Sequence, residues 1–319
     1  FVDDSGDCDD PNVPKQYTGA RLAFCKLVLS RVPERLTTMN DGLRTLHFYQ
    51  LSYNPNAPQE IAGGTQDNGS WETNGDRRTW INTNIADGGH NNFDVADPTF
   101  RMTAWQLGQI QINFNKLDQV GQTWISDTLW VLYANEAVGF IASAITDPVQ
   151  AGRMWTGRQH VFRADNYGIN STFGRAKVLE DCNVWTGDFD LNDNGVYEPL
   201  VDICDSWKPL GNPGPAGQLT GATYGTDRAG GIVNLVERTK ADTSTLWTAT
   251  STGRIFVSKN ADAADPASVV FNRIDNTSPA APGRWPSAIY VDPTDANHAW
   301  IVYSGFSAKT PSTPGHVFE

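Results

Sequence analysis

One pattern recurs along this chain and limits what it can fold into. A short strand is followed by an Asx-Pro turn, a small-residue strand, a glycine turn and another strand. The first copy runs Leu51–Pro55, Ile61–Thr65 and the turn Gln66–Gly69. The second has Asp97-Pro98, Met102–Trp105, Gly108 and Ile110–Phe114. The third has Asp147-Pro148, Met154–Gly157 and His160–Arg163. The fourth reads Lys240–Asp242, Leu246–Thr250, Gly253 and Arg254–Ser258, and the fifth Asp292-Pro293, His298–Tyr303 and Gly305.

The comparable positions Pro55, Pro98, Pro148, Lys240 and Pro293 are 43, 50, 92 and 53 residues apart. Three of these steps match the roughly 40–50 residues of a four-stranded propeller blade. The long step holds one blade plus an insertion over 169–211. Within each copy polar and apolar residues alternate, as in Gln111-Ile112-Asn113-Phe114, which is strand periodicity. A lone blade cannot bury both of its faces; stacking blades around an axis does so and leaves only short edges. A sandwich would give similar strands without such regular spacing. The expectation is an all-β propeller of about five to seven four-stranded blades, a single domain over 1–319. The segment Tyr17–Arg35, before the first copy, is the expected helical exception.

The chain has 11 Trp and a net charge of −12. That charge opposes nucleic acid, and no basic stripe offsets it. No apolar run approaches the roughly 18 residues of a membrane span. The four cysteines form two local pairs, Cys8 with Cys25 and Cys182 with Cys204, and no Cys-x-x-Cys occurs. Two disulfides would imply an oxidising, extracellular setting; four buried free thiols are the alternative. The chain starts at Phe1 without an initiator Met or signal peptide and ends on the strand-like His316–Glu319, so both ends read as cut from something longer.

Gly63–Gly69, Gly225–Gly231 and Thr252–Asn260 resemble the bacterial BNR-repeat (Asp-box) propellers, and the tail Pro314–Phe318 looks familial too. That architecture is shared with sortilin-type, sialidase and xyloglucanase propellers, so the resemblance implies a fold more than a function. The Asp box is degenerate here. Asp118–Trp124 carries an extra residue, Arg163–Gly168 has a widened turn, and Ser258–Asp262 keeps only the opening. These read as turn caps and blade packing rather than catalytic groups.

Strand direction alternates within a blade. Turns between second and third strands therefore share one face with the blade-to-blade connections. That face is expected to gather Gln66, Asp67, Asn68, Asp87, His90, Arg158, Asp227, Arg228, Arg254, Arg284 and Trp285. Read one way they are a glycan or protein site; read the other way, Asp and Asn serve turns that need φ > 0. Paired carboxylates drawn from Asp67, Asp87 and Asp227 would suit a glycoside hydrolase. The sialidase Phe-Arg-Ile-Pro signature is missing, however, and neither a metal spacing among the His residues nor a Ser-His-Asp set is readable.

Inside the insertion, Asp190, Asn192, Asn194 and Glu198 stand at positions 1, 3, 5 and 9 of a calcium loop. Gly195 marks the sharp turn, the Val196 carbonyl fills position 7, and Asp188 or Asp202 completes the shell. Val201 replaces the bidentate Glu of an EF-hand, and a solvated acidic turn is the alternative. Metal and disulfide together are expected to order an insertion lacking its own core. Three functions compete: a secreted or cell-surface binding propeller without catalysis, a glycoside hydrolase, and a structural subunit that self-assembles.

Overall fold

The structure, a computed structural model, describes residues 1–12, 17–34, 46–117, 124–198, 203–277, 281–305 and 310–319. The chain forms two compact units, Phe1–Leu46 and His47–Glu319. The propeller expected over 1–319 occupies the second. In the first, the helix α1 (Gly19–Leu29) is joined to a short 3-10 turn (Ser5–Asp9) by the Cys8–Cys25 disulfide.

The second unit is a β-propeller. Blade 1 is β1 (Phe48–Asn54), β2 (Ala57–Thr65), β3 (Gly69–Thr73) and β4 (Ile81–Asn84). Blade 2 is β5 (Gly88–Phe93), β6 (Arg101–Trp105), β7 (Ile110–Asn113) and β8 (Ile125–Ser126). Blade 3 is β9 (Ala144–Thr146), β10 (Met154–Gly157), β11 (Val161–Ala164) and β12 (Lys208–Pro209). Blade 4 is β13 (Val233–Glu237), β14 (Leu246–Thr250), β15 (Ile255–Ser258) and β16 (Phe271–Arg273). Blade 5 shows three strands among the described residues, β17 (Pro286–Val291), β18 (Ala299–Tyr303) and β19 (Val317–Phe318). Strands pair antiparallel in chain order within every blade. The inner strands β1, β5, β9, β13 and β17 all line one axial cavity of about 230 Å³.

The recurrent Asx residues explain the repeat. Asn54, Asp94, Asp147, Asp242 and Asp292 each accept a backbone N–H two residues on, closing the turn between the first two strands of their blade. Consecutive inner strands are also stitched side chain to backbone. Ser52 donates to the Asn91 carbonyl, and Asn92 Nδ2 donates to the Ala144 carbonyl at 2.9 Å. Ser143 Oγ accepts from Val236 N–H at 3.1 Å, and Asn234 Nδ2 donates to the Pro286 carbonyl at 2.6 Å. Indoles bridge blades as well: Trp124 Nε1 donates to the Thr83 carbonyl and Trp247 Nε1 to that of Ala296. Where blades 1 and 2 meet, a Cβ on Gly64 would stand 2.3 Å from the backbone of Gly88 and Gly89. Only glycine permits that approach. Leu51 and Tyr53 of β1 and Tyr290 of β17 remain exposed.

The insertion leaves between β11 and β12, and both disulfides form, Cys182–Cys204 within it. It contains α3 (Arg175–Asp181). Its described buried side chains join the core of the neighbouring blades. Val178, Cys182, Leu191, Cys204 and Trp207 are buried in the same cluster as Met102, Ile112 and Phe162 of blades 2 and 3. Residues 182–184 also add to the outer edge of blade 2. Ser126 N–H donates to the Cys182 carbonyl at 3.2 Å, and Val184 N–H to that of Trp124 at 2.9 Å. An otherwise unpaired strand edge is thereby covered.

Two of the degenerate boxes lie in links between third and fourth strands. Asn260 caps its own hairpin, accepting from Val270 N–H at 2.9 Å. The stretch Asp118–Thr123 lies outside the described residues. No described helix is long and apolar enough to cross a membrane.

Candidate functional site

Antiparallel order sends the β2–β3, β6–β7, β10–β11 and β14–β15 turns to the same face as the blade-to-blade connections. All the residues expected at the mouth belong to that face by chain position except His90, which sits within β5 and lines the axial cavity. Burial holds the His90 pKa down at about 4, so its ring is neutral at pH 7. In the same cavity, burial pushes Glu237 up to about 7.

On blade 1 the acids serve a turn. Asp67 has φ 61°, and its N–H donates to Asp87 Oδ1 at 2.9 Å. Asn68 Nδ2 donates to the Gln66 carbonyl at 2.9 Å, and Tyr49 OH to Gln66 Oε1 at 2.9 Å. Asp227 belongs to a separate network at the end of blade 4. Arg273 bridges Asp227 and buried Asp275, with Nη2 at 2.5 Å and 2.8 Å from their Oδ2 atoms. Arg228 reaches Asp275 at 3.1 Å. The Arg273 guanidinium holds the Asp227 pKa at about 2.

Two arginines expected at the mouth point inward instead. Arg254 is fully buried and donates to the carbonyls of Leu219, Gly221, Gly225 and Asp227. It fastens the 219–227 loop. Arg158 is buried beside Asp127 and Glu136, with Nη1 on the Tyr133 carbonyl at 3.4 Å. Burial and the neighbouring Asp205 raise the Asp127 pKa, while backbone N–H groups of Ile110 and Leu129 occupy its oxygens. Arg284 donates to the Gly315 carbonyl. Trp285 stays exposed.

In the insertion, buried Asp190 accepts from Asn194 N–H at 3.1 Å and from Gly195 N–H at 2.5 Å. Asn192 Oδ1 accepts from Asn194 N–H, Asn194 Oδ1 from Val196 N–H, and Asp188 Oδ1 from Asp190 N–H. Among the described residues no three His, Cys, Asp or Glu side chains gather, and Asp202 lies outside them. The donors are all oxygen, which fits a hard cation in kind, but only Asp190 and Glu198 of the expected ligands at 190–198 carry charge.

Sequence reasoning missed a pocket of about 250 Å³ at the outer edge of blade 2. Trp105, Trp130, Trp185 and Phe189 form its aromatic walls. Asn84, Gln109, Gln111 and Ser126 supply neutral polar groups. Trp105 ends β6, where its N–H donates to the Gln109 carbonyl at 2.7 Å. Trp130 lies in α2 (Leu129–Leu132), its Nε1 bonded to the Asp127 carbonyl at 3.1 Å. Trp185 follows the segment paired with β8, and its N–H donates to Asn183 Oδ1 at 2.8 Å. The signal available in the sequence was the cluster of Trp within 124–130 and at 185, without a sign that they meet.

No protein-family model matches the chain, and no curated protein matches it in sequence. Among solved structures it is similar to the β-propeller domain of Myceliophteria thermophila Cps50 (Swd1), at 9% identity and TM-score 0.48, covering 82% of this chain and 65% of that one. It is also similar to a chain of a mitotic checkpoint complex, at 10% identity and TM-score 0.46, covering 81% and 58%. The chain thus spans less than two thirds of either neighbour's length. The propeller assignment rests on the strand order and shared axis of the chain itself.

Proposed function

We propose that the chain is a non-catalytic binding propeller, secreted or held at a cell surface, that recognises a glycan or protein through the face carrying the β2–β3 turn. One observation carries this reading: two of the three candidate acids of that face are held by neighbouring groups. Asp87 is occupied by the Asp67 turn, and Asp227 is clamped by Arg273 with a pKa of about 2. A carboxyl held that low has no proton to donate at neutral pH, so it cannot be the general acid of a glycosidase. Exposed Trp285 is left as an anchor of the kind binding surfaces favour. Two disulfides support an oxidising compartment. A glycan array and a reducing-sugar assay test it together. Saturable binding weakened by Trp285→Ala, with no sugar release, is expected. Release lost in Asp67→Asn or Asp227→Asn protein that still folds would make the chain a glycoside hydrolase.

A second reading, a structural subunit of an extracellular assembly, is favoured by the exposed faces of β1 and β17 at Leu51, Tyr53 and Tyr290. Light scattering after size exclusion should then show an oligomer that Tyr53→Ser and Tyr290→Ser dissociate. A monomer at every concentration removes this reading.

Calcium is the ion assigned to the 190–198 loop. Support comes from oxygen donors on alternate residues and from the Asp190 carboxylate that draws the turn together. So few charges place the affinity in the weak range of extracellular modules, about 10⁻⁴–10⁻³ M. Titration calorimetry without heat, and melting unchanged by chelator, would end the assignment.

A further inference from the structure

We propose that the pocket at the outer edge of blade 2 is a subsite for one neutral hexopyranose ring of a glycan. Three indoles and a phenyl ring meet there, and two of the indoles are open to solvent, Trp130 at 43% and Trp185 at 54%. An exposed tryptophan is ordinarily an isolated event; two in one concavity form a platform. The axial C–H bonds of a pyranose present an apolar, slightly positive face that stacks on the electron-rich face of an indole. Its equatorial hydroxyls need neutral donors and acceptors, which Gln109 and the remaining hydrogen-bonding capacity of Asn84, Gln111 and Ser126 supply; Asn84 Nδ2 already donates to Gln111 Oε1 at 2.6 Å and Ser126 Oγ to the Asp127 carbonyl at 3.2 Å. Trp105 Nε1 is buried and carries no hydrogen bond among the described residues.

Size and charge narrow the occupant. At about 250 Å³ the pocket falls below the roughly 300–1,000 Å³ of sites for drug-sized ligands, which suits one ring better than a run of peptide. Among the described residues no Lys, Arg or His lines it, and the chain carries −12, so uronates, sialic acids and phosphates meet no counter-charge there and an opposing field. The walls are also preorganised. The Trp130 indole is fixed by its bond to the Asp127 carbonyl, while the backbone of Trp105 is held by Gln109 and that of Trp185 by Asn183, beside the bridge to β8. A ligand therefore orders few side chains on binding.

This inference deepens the binding reading but does not share its residues, so the two fail separately. Methyl glycosides of glucose, galactose and mannose, and N-acetylglucosamine, are titrated against the whole chain while its indole N–H resonances are followed by NMR. Glucuronate and N-acetylneuraminate serve as anionic probes. At least one neutral sugar should shift the Trp105, Trp130 and Trp185 signals saturably, with the anionic probes at least tenfold weaker. Trp185→Ala and Trp130→Ala should each weaken binding tenfold or more, Trp185→Phe less, and Trp285→Ala not at all. Unchanged melting of these exposed-indole variants separates loss of binding from loss of fold. Silence of these indoles toward every neutral sugar overturns the pocket assignment, as does equal binding of the anionic probes or binding unaffected by Trp185→Ala. Array binding lost only in Trp285→Ala would overturn it while leaving the broader reading standing.

Discussion

Arg273 grips Asp227 through two parallel hydrogen bonds, Nη1 to Oδ1 at 2.9 Å and Nη2 to Oδ2 at 2.5 Å. Fork-to-fork geometry of this kind is the strongest form of the pair. It converts a residue that looks available at a binding mouth into a fixed strut. The Asp227 pKa falls from 3.8 to about 2, so the folded state holds this proton less tightly than the unfolded chain. The stability it contributes is present above about pH 4 and is lost as pH drops toward 2. Melting curves between pH 2 and 5 should show that loss in the wild type. Asp227→Asn should lack this part of the acid limb; an unchanged limb would mean the clamp contributes nothing.

Arg254 is the deeper strut. Its guanidinium satisfies the carbonyls of Leu219, Gly221, Gly225 and Asp227 in a fully buried position. Arg254→Met leaves those acceptors unpaired and should cost at least about 3 kcal/mol in urea denaturation. Arg254→Lys should recover only part, because an ammonium cannot reproduce the planar fork. A ligand-binding Arg254 would instead lose affinity with stability unchanged.

The blades were legible because turn chemistry is local: Asn54, Asp147 and Asp292 announce themselves through the residues beside them. The inserted stretch was legible as surplus length in the step from Pro148 to Lys240. Chain position also gave the face of each turn. What it could not give was side-chain direction, so Arg158 and Arg254 read as mouth residues although both turn into the protein. The indole pocket was hidden for a different reason. Trp105, Trp130 and Trp185 come from the end of a strand, a short helix and an insertion, and they meet where residues 182–184 pair with β8. No spacing in one dimension encodes that pairing.

Glu237 sets a pH dependence of opposite sense. Its pKa rises from 4.5 to about 7 in the axial cavity, where a hydrogen bond from Arg238 N–H at 3.1 Å does not offset the burial. The folded state prefers the protonated acid. Stability is therefore full below about pH 4.5 and declines as pH rises through 7. Glu237→Gln should match the wild type at pH 4 and exceed it at pH 8, by up to roughly 3 kcal/mol and by less where water in the cavity solvates the carboxylate. Parallel curves for the two proteins would place Glu237 in an environment as wet as bulk solvent.

The Cys182–Cys204 bridge holds the insertion where it serves blade 2. It closes a loop of 22 residues, and its first cysteine also offers the carbonyl that receives Ser126 N–H. Replacing both cysteines by alanine should cost about 2–4 kcal/mol, mainly by freeing the unfolded chain. A local effect should accompany the global one. With 182–184 less firmly placed, the edge of β8 opens, and the amides of Ser126 and Val184 should exchange with solvent faster than those of β6 in the same blade. Trp185 would lose its fixed position as well, so saccharide affinity at the pocket should fall further than stability alone explains. Uniform acceleration of exchange across blade 2 would instead mean that the bridge acts only on the unfolded state.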